Sequence, residues 1–468
     1  MKKFVLYLLC AAAVQAFADS PKYVFLFIGD GMSFPQRMTA EEFSRKTGAG
    51  PLAMNAMQFA ATTRTSSSDS LVTDSAAAAT AIACGKKTKN HYAGVDADGK
   101  TLVSSASAAK KAGRKVGIIT TVTITHATPA GFYAHNRNRG DTYGIALDLA
   151  ESEFDFFAGG GLDISPNVAK ASKRFAECGD ASEYIRSKGY GIVDSKKDFL
   201  SLGPGCGKIL ALFSRGVLTA AIDADGTQPT IAEMVAKCIE MLDGEDGFFI
   251  MAEGGSIDWA CHANDAATNL REILAMDDAV KLAVEFQKKH PDDTLVVVTG
   301  DHETGGMSMG FAGAGYALYV ERLAFQTMSV GSFSGKVAKM FEKNNNLSFD
   351  DVKPLITEAF GFHFEGDPKK DPMVLGKEDI GDIAKAFDHD FVLYNSRVEE
   401  NTKYDGMKRY HLGGACRLVM SNKCGLGWTS GSHTAMPVLT TASGCGAEHF
   451  SGFLENADIG RIMKGFYE

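Results

Sequence analysis

Four apolar runs set the frame of this chain. Residues 22–28 (KYVFLFI), 115–121 (KVGIITT), 247–251 (GFFIM) and 294–299 (TLVVVT) have strand length and lack the alternation of a strand with one wet face. They predict parallel strands covered on both sides. Helical stretches lie between them, at residues 74–84, 230–242 and 265–289. This alternation predicts an α/β fold, a doubly wound and mainly parallel central sheet flanked by helices. Ligands in such sheets collect at the carboxyl ends of the strands. Polar clusters follow the runs here: Gly29-Asp30-Gly31, Glu253-Gly254-Gly255 and Gly300-Asp301-His302.

Residues 311–425 break the pattern. They carry charge-rich helical stretches at 334–343 and 349–360 and few strand-like runs. This part reads as an insertion into a core made of residues 19–310 and 426–468. The first 18 residues read as an export signal: basic Lys2-Lys3, an apolar stretch, and Ala16-Phe17-Ala18 as the cleavage site. The apolar stretch is too short to span a bilayer, and no later segment reads as a span. A periplasmic or secreted chain is therefore expected.

Composition narrows the function. Apolar residues make up 45% of 468, enough for a large core. The net charge is −9, or −11 once Lys2 and Lys3 are gone, whereas a nucleic-acid binder carries a basic surface. No nucleic acid is expected as a specific partner. Of nine cysteines, eight survive signal removal. In an oxidising compartment, Cys178 with Cys206 and Cys416 with Cys424 are local pairings to expect. Cys261 reads as a packed or disulfide-bonded residue.

Several residues suit chemistry. Asp74-Ser75 precedes an alanine-rich stretch, so Ser75 should stand at a helix N-terminus, which favours an anion. Alone, this reads first as an ordinary cap on an alanine-rich helix. Asp258 and His262 are four apart and share one face of a helix, as two ligands of one zinc would. Asp301-His302 adds a carboxylate and an imidazole just after a strand. Asp30 sits between glycines that free the backbone. His433 lies in glycine-rich sequence. Asp388-His389-Asp390 also looks like a ligand cluster and reads as a solvated surface segment or a peripheral ion site. Arg137 and Arg139 are equal candidates to bind phosphate oxygens in a bidentate way.

The order and local contexts of these residues resemble alkaline phosphatases over nearly the whole mature chain. Phe27-Ile28-Gly29-Asp30-Gly31-Met32, Val72-Thr73-Asp74-Ser75-Ala76-Ala77, His126-Ala127-Thr128-Pro129 and Glu253-Gly254-Gly255-Ser256-Ile257-Asp258 carry the resemblance. It implies hydrolysis of phosphate monoesters through a phosphoserine on Ser75, at a site with two zinc ions and one magnesium. Asp258, His262 and His433 would hold the first zinc; Asp30, Ser75, Asp301 and His302 the second; Asp30, Thr128 and Glu253 the magnesium. The spacing from His126 to His135 and on to Arg139 resembles the family's pattern and selects Arg139 for phosphate. His126 and Trp259, at two positions that vary in the family and touch substrate, look most like marine cold-active bacterial members. The insertion resembles the crown or large-loop regions that help form a homodimer. The rival readings are a phosphodiesterase or sulfatase of the same superfamily, and an exported metal or phosphate carrier without catalysis.

Overall fold

The computed structural model describes residues 20–468, except 312, 345 and 401–410. The export-signal reading of residues 1–18 lies outside the described residues. Strands, in chain order, are β1 (Tyr23–Gly29), β2 (Phe59–Arg64), β3 (Lys115–Thr120), β4 (Phe156–Gly159), β5 (Tyr190–Val193), β6 (Lys208–Leu212), β7 (Phe248–Gly254) and β8 (Thr294–Gly300). They continue with β9 (Glu303–Thr304), β10 (Met307–Met309), β11 (Leu426–Trp428), β12 (His433–Thr434), β13 (Val438–Gly444) and β14 (Gly452–Glu455). Ten of them form one sheet in the order β14-β2-β13-β8-β1-β7-β3-β4-β6-β5. All its pairings are parallel except those of β13 with β8 and β2. The sheet is the expected doubly wound type.

The four apolar runs form its centre, β8-β1-β7-β3. Their side chains divide between two buried layers. Phe25, Phe27, Phe248, Ile250, Val296 and Val298 enter one layer; Val24, Leu26, Ile28, Phe249, Leu295 and Val297 enter the other. Burial on both faces explains why these strands are apolar at every position. Register then aligns the strand ends: Gly29 pairs with both Gly254 and Gly300, and Thr120 with Glu253. The polar clusters that follow these strands therefore emerge side by side.

The helices follow their caps. Asp74, Thr230 and Asp265 accept the backbone N–H three residues on, and start helices Ser75–Cys84, Ile231–Leu242 and Ala266–Lys289. Between β10 and β11, which pair antiparallel, lie helices Val330–Lys343, Phe349–Phe360, Lys377–Glu400 and Leu412–Cys424. Their apolar residues Phe333, Ile356, Phe387 and Val419 join the same buried layer as Phe25. Among the described residues, no helix is long and apolar enough to cross a membrane.

The expected cysteine pairings do not form. Cys178, Cys206, Cys416 and Cys424 are thiols. Cys416 and Cys424 lie on one helix, and eight residues of helix rise by about 12 Å. A disulfide tolerates roughly 7 Å between Cα atoms. Cys261 is buried in the core and its sulfur accepts a hydrogen bond from Asn269 Nδ2 at 3.0 Å, which is the packed role.

One buried acid gives stability a pH dependence. Burial, with Asp223 nearby, pushes the Glu272 carboxyl up to about 7, against the hydrogen bond it accepts from Ala221 N–H at 2.7 Å. A raised pKa means that the folded state holds the proton more tightly. The associated stability is full below about pH 4.5 and is lost as pH climbs through 7, at a cost of about 3 kcal/mol at pH 8. Glu272→Gln keeps an acceptor for Ala221. It is expected to stabilise the chain at pH 8 relative to wild type and to have little effect at pH 4.5, as measured by denaturant unfolding at both values.

Candidate active site

The carboxyl ends of the central strands carry most of the site. Asp30 follows β1, and Asp301 and His302 follow β8. All three are fully buried. Gly31 turns the chain after Asp30 with φ +71°, and a Cβ there would lie 2.9 Å from Asp258 Oδ1, so glycine is required by both conformation and space. Gly31 N–H donates to Asp301 Oδ1 at 3.0 Å. Glu253 is the next-to-last residue of β7 and accepts from the Thr120 hydroxyl of β3. Asp258 and His262 share one face of helix Ser256–His262, with His262 Nε2 3.2 Å from Asp258 Oδ2.

Ser75 opens its buried helix as the first helical residue. Its Oγ lies 3.2 Å from His302 Nε2. That nitrogen is also 3.2 Å from Asp30 Oδ1 and 3.4 Å from Asp301 Oδ2. His433 comes from β12, which pairs with β9 and so delivers its ring over the site. The rings of His433 and His302 stack at 3.7 Å between centroids. His433 Nε2 is 3.3 Å from His262 Nε2 and 3.7 Å from Asp258 Oδ1.

Three clusters of ligand-type atoms result: Asp258 with His302 and His433, Asp30 with Asp301 and His302, and Asp30 with His126 and Glu253. Thr128 Oγ1 joins the third, 3.4 Å from Asp30 Oδ2. The imidazoles are oriented from behind. His262 Nδ1 meets the Gly431 carbonyl at 2.7 Å and His433 Nδ1 the Thr73 carbonyl at 2.9 Å, so each Nε2 lone pair points inward. Asp30 Oδ1, Asp301 Oδ2, Glu253 Oε1 and His126 Nδ1 are buried without a hydrogen-bond partner. Buried polar atoms are almost always satisfied, and a cluster of carboxylates and inward imidazole nitrogens is satisfied by divalent cations. The donor set fits metal ions.

The charges agree. Burial, then the charges of neighbouring carboxylates, hold Asp30 well above the usual carboxylate range, and Asp301 is raised by the same causes. Burial and the nearby His433 push His302 well below the usual imidazole value. Asp258 is the exception. Burial raises it, but the hydrogen bond with His262 and the surrounding imidazoles outweigh burial and hold it low.

Arg139 stands at the edge of this group. Its Nη1 donates to Asp74 Oδ2 at 3.1 Å and its Nη2 lies 3.2 Å from His126 Nε2. Arg137 is turned elsewhere, donating to the Asp98 carbonyl at 2.6 Å. Trp259 is half-exposed. Ser75, His126, Arg139, Asp258, Trp259, His262 and His433 line one open cleft of about 930 Å³. The sequence did not single out Thr304, whose hydroxyl donates to Asp258 Oδ1 at 2.5 Å and lies 3.2 Å from His302 Nδ1. Nor did it show that Asp74, besides capping its helix, holds Arg139.

The segment at Asp388-His389-Asp390 does not join this site. Asp390 is fully buried and paired with His411, so the expectation of a solvated segment fails there, whereas His389 is exposed.

The alkaline phosphatase family model matches residues 21–468. The chain belongs to the alkaline phosphatase family. Alkaline phosphatase 3 of Bacillus subtilis is 32% identical over 449 residues, covering 95% of this chain and 88% of that protein. The crystal structure of the cold-active alkaline phosphatase from the psychrophile Shewanella sp. superimposes with a TM-score of 0.77 at 26% identity, covering 95% of this chain and all of that one. A variant of the alkaline phosphatase of the Antarctic bacterium TAB5, with a histidine replaced by aspartate and magnesium in its M3 site, gives a TM-score of 0.63 at 26% identity, covering 95% and 97%. As a family member, the chain is a metal-dependent hydrolase of phosphate monoesters.

Proposed function

We propose that Ser75 is the nucleophile of this alkaline phosphatase and is transiently phosphorylated. The observation that carries this reading is its Oγ, 3.2 Å from His302 Nε2 at the start of a buried helix and beside the ligand clusters. Asp258, His262 and His433 would hold one zinc. Asp30, Ser75, Asp301 and His302 would hold a second. Asp30, Thr128 and Glu253 would hold magnesium, with His126 alongside. The magnesium in the M3 site of the TAB5 variant supports the third assignment. Bound there, these ions supply Lewis-acid polarisation of phosphoryl oxygens and lower the pKa of hydroxyl and water.

The chain's own groups do the rest. Arg139 takes two phosphoryl oxygens on its guanidinium, which Asp74 and His126 hold in position. Backbone N–H groups in the first turn of the Ser75 helix favour the anion. Ser75 Oγ attacks phosphorus, the bond to the leaving oxygen breaks, and the alcohol departs with a proton. Water then attacks the phosphoserine, the bond from phosphorus to Ser75 Oγ breaks, and phosphate leaves as the serine regains its proton. Arg139→Ala is expected to lower kcat/KM about 10²–10³-fold and to weaken inhibition by phosphate, by loss of charge-assisted contacts to the transferring group. Steady-state kinetics with p-nitrophenyl phosphate measure both effects.

A shared phosphoserine predicts transfer to acceptors other than water. With an amino-alcohol buffer, part of the phosphoryl group should appear on the buffer, with the same partition for different aryl esters. A partition that changes with the leaving group contradicts the intermediate.

The remaining features complete the reading. Residues 1–18 direct export to the periplasm or medium. Residues 311–425 are a crown-like insertion on the core of 19–310 and 426–468, and contribute to a homodimer. His126 and Trp259 at the substrate edge support a likeness to cold-active bacterial members.

A further inference from the structure

A fourth cluster of ligand-type side chains lies in the helical insertion, on residues the reaction does not use. Asp390 is on helix Lys377–Glu400 and is fully buried. His411 directly precedes helix Leu412–Cys424 and is also buried. Asp390 Oδ2 accepts the Leu412 N–H at 2.8 Å, so the carboxylate of one helix caps the start of the next. The other oxygen, Oδ1, contacts His411 Nδ1, and His389 Nδ1 lies 3.9 Å from that same oxygen. The two imidazole rings stand edge to face with centroids 5.4 Å apart. One ligand atom from each of the three residues lies within 4.8 Å of the other two.

Capping explains one oxygen of Asp390. It does not explain why two imidazoles gather at the other. Two imidazoles and a carboxylate are a donor set that suits zinc and similar ions. Zinc bonds of 2.0–2.2 Å place donors on a tetrahedral ion about 3.4 Å apart, so an ion would take the place of the proton shared by Asp390 Oδ1 and His411 Nδ1, and those two atoms would part to admit it. The Leu412 N–H bond orients the carboxylate from behind, as second partners do in metal sites. Entry is open as well. His389 is exposed and borders a cavity of about 670 Å³, which Asp379, Asp382 and Lys385 also line, with Lys385 paired to Asp382 at 3.3 Å.

We propose that His389, Asp390 and His411 bind an additional divalent transition-metal ion, zinc by donor chemistry, which ties helix Lys377–Glu400 to helix Leu412–Cys424. Among the described residues three ligands are offered, and a tetrahedral ion takes one more. None of the three residues lines the catalytic cleft, so the site serves the insertion and not the chemistry.

The test is zinc content per chain of the holoenzyme, loaded with zinc and then passed through metal-free buffer. His389→Ala removes an exposed ligand and leaves the buried Asp390–His411 pair in place. It should lower zinc by one equivalent while p-nitrophenyl phosphate turnover stays within twofold of wild type. The rise in thermal midpoint on adding zinc should shrink in the same variant. Equal zinc content in variant and wild type overturns the proposal. Loss of zinc with a matching loss of turnover also overturns it, because the lost ion then belongs to the catalytic cluster.

Discussion

Ser75→Ala should reduce kcat by about 10⁴-fold or more while leaving bound metal and thermal stability close to wild type. The size follows from removing a covalent step. Without the hydroxyl, the two easier displacements become one direct attack by water, and only positioning and charge stabilisation remain. The metal content should hold because the ligand atoms of Asp30, Asp258, Asp301, His262, His302 and His433 are fixed by other contacts, such as Gly31 N–H to Asp301 and the Gly431 and Thr73 carbonyls to the imidazoles. Stability should hold because Asp74 still caps the helix. Metal analysis beside kinetics separates the two effects. A variant that loses both metal and activity would assign Ser75 to holding the site together.

Stripping the metal ions should abolish turnover, and zinc with magnesium should restore it. Asp30, Asp301 and Glu253 place carboxylates close together in a buried site, with oxygen atoms that no donor satisfies. Cations neutralise this cluster, and binding to the folded state alone adds RT ln(1 + [L]/Kd) to stability. The stripped chain should therefore also unfold at lower temperature. Activity and thermal midpoint should recover together on titration with zinc. A chelated protein that keeps full activity would contradict the account.

The central sheet was legible in the sequence because its strands are buried on both faces. That burial leaves runs such as VVV at 296–298 with no polar interruption. β13 escaped notice: its VLTTASG sequence is half polar, and its place in the sheet comes from antiparallel pairing with β8 and β2. The convergence of Asp30, Glu253, Asp301 and His302 was legible because carboxylates and imidazoles directly after buried strands are unusual. Thr304 and the Thr73 and Gly431 carbonyls were not, since hydroxyls and backbone groups carry no such signal until the chain is folded. The cysteine pairings failed for a similar reason. Nearness in sequence becomes about 12 Å of helix between Cys416 and Cys424. At Asp390, the polar surroundings suggested solvent, but His411 and the start of the next helix bury it.

The most direct test traps the enzyme in mid-reaction. Turnover on a simple aryl phosphate, quenched in acid and digested, should yield one phosphorylated peptide, with the phosphoryl group on Ser75 and none in Ser75→Ala. A phosphoryl group on another side chain, or phosphate release at the wild-type rate from Ser75→Ala, would contradict a serine nucleophile at the strand ends.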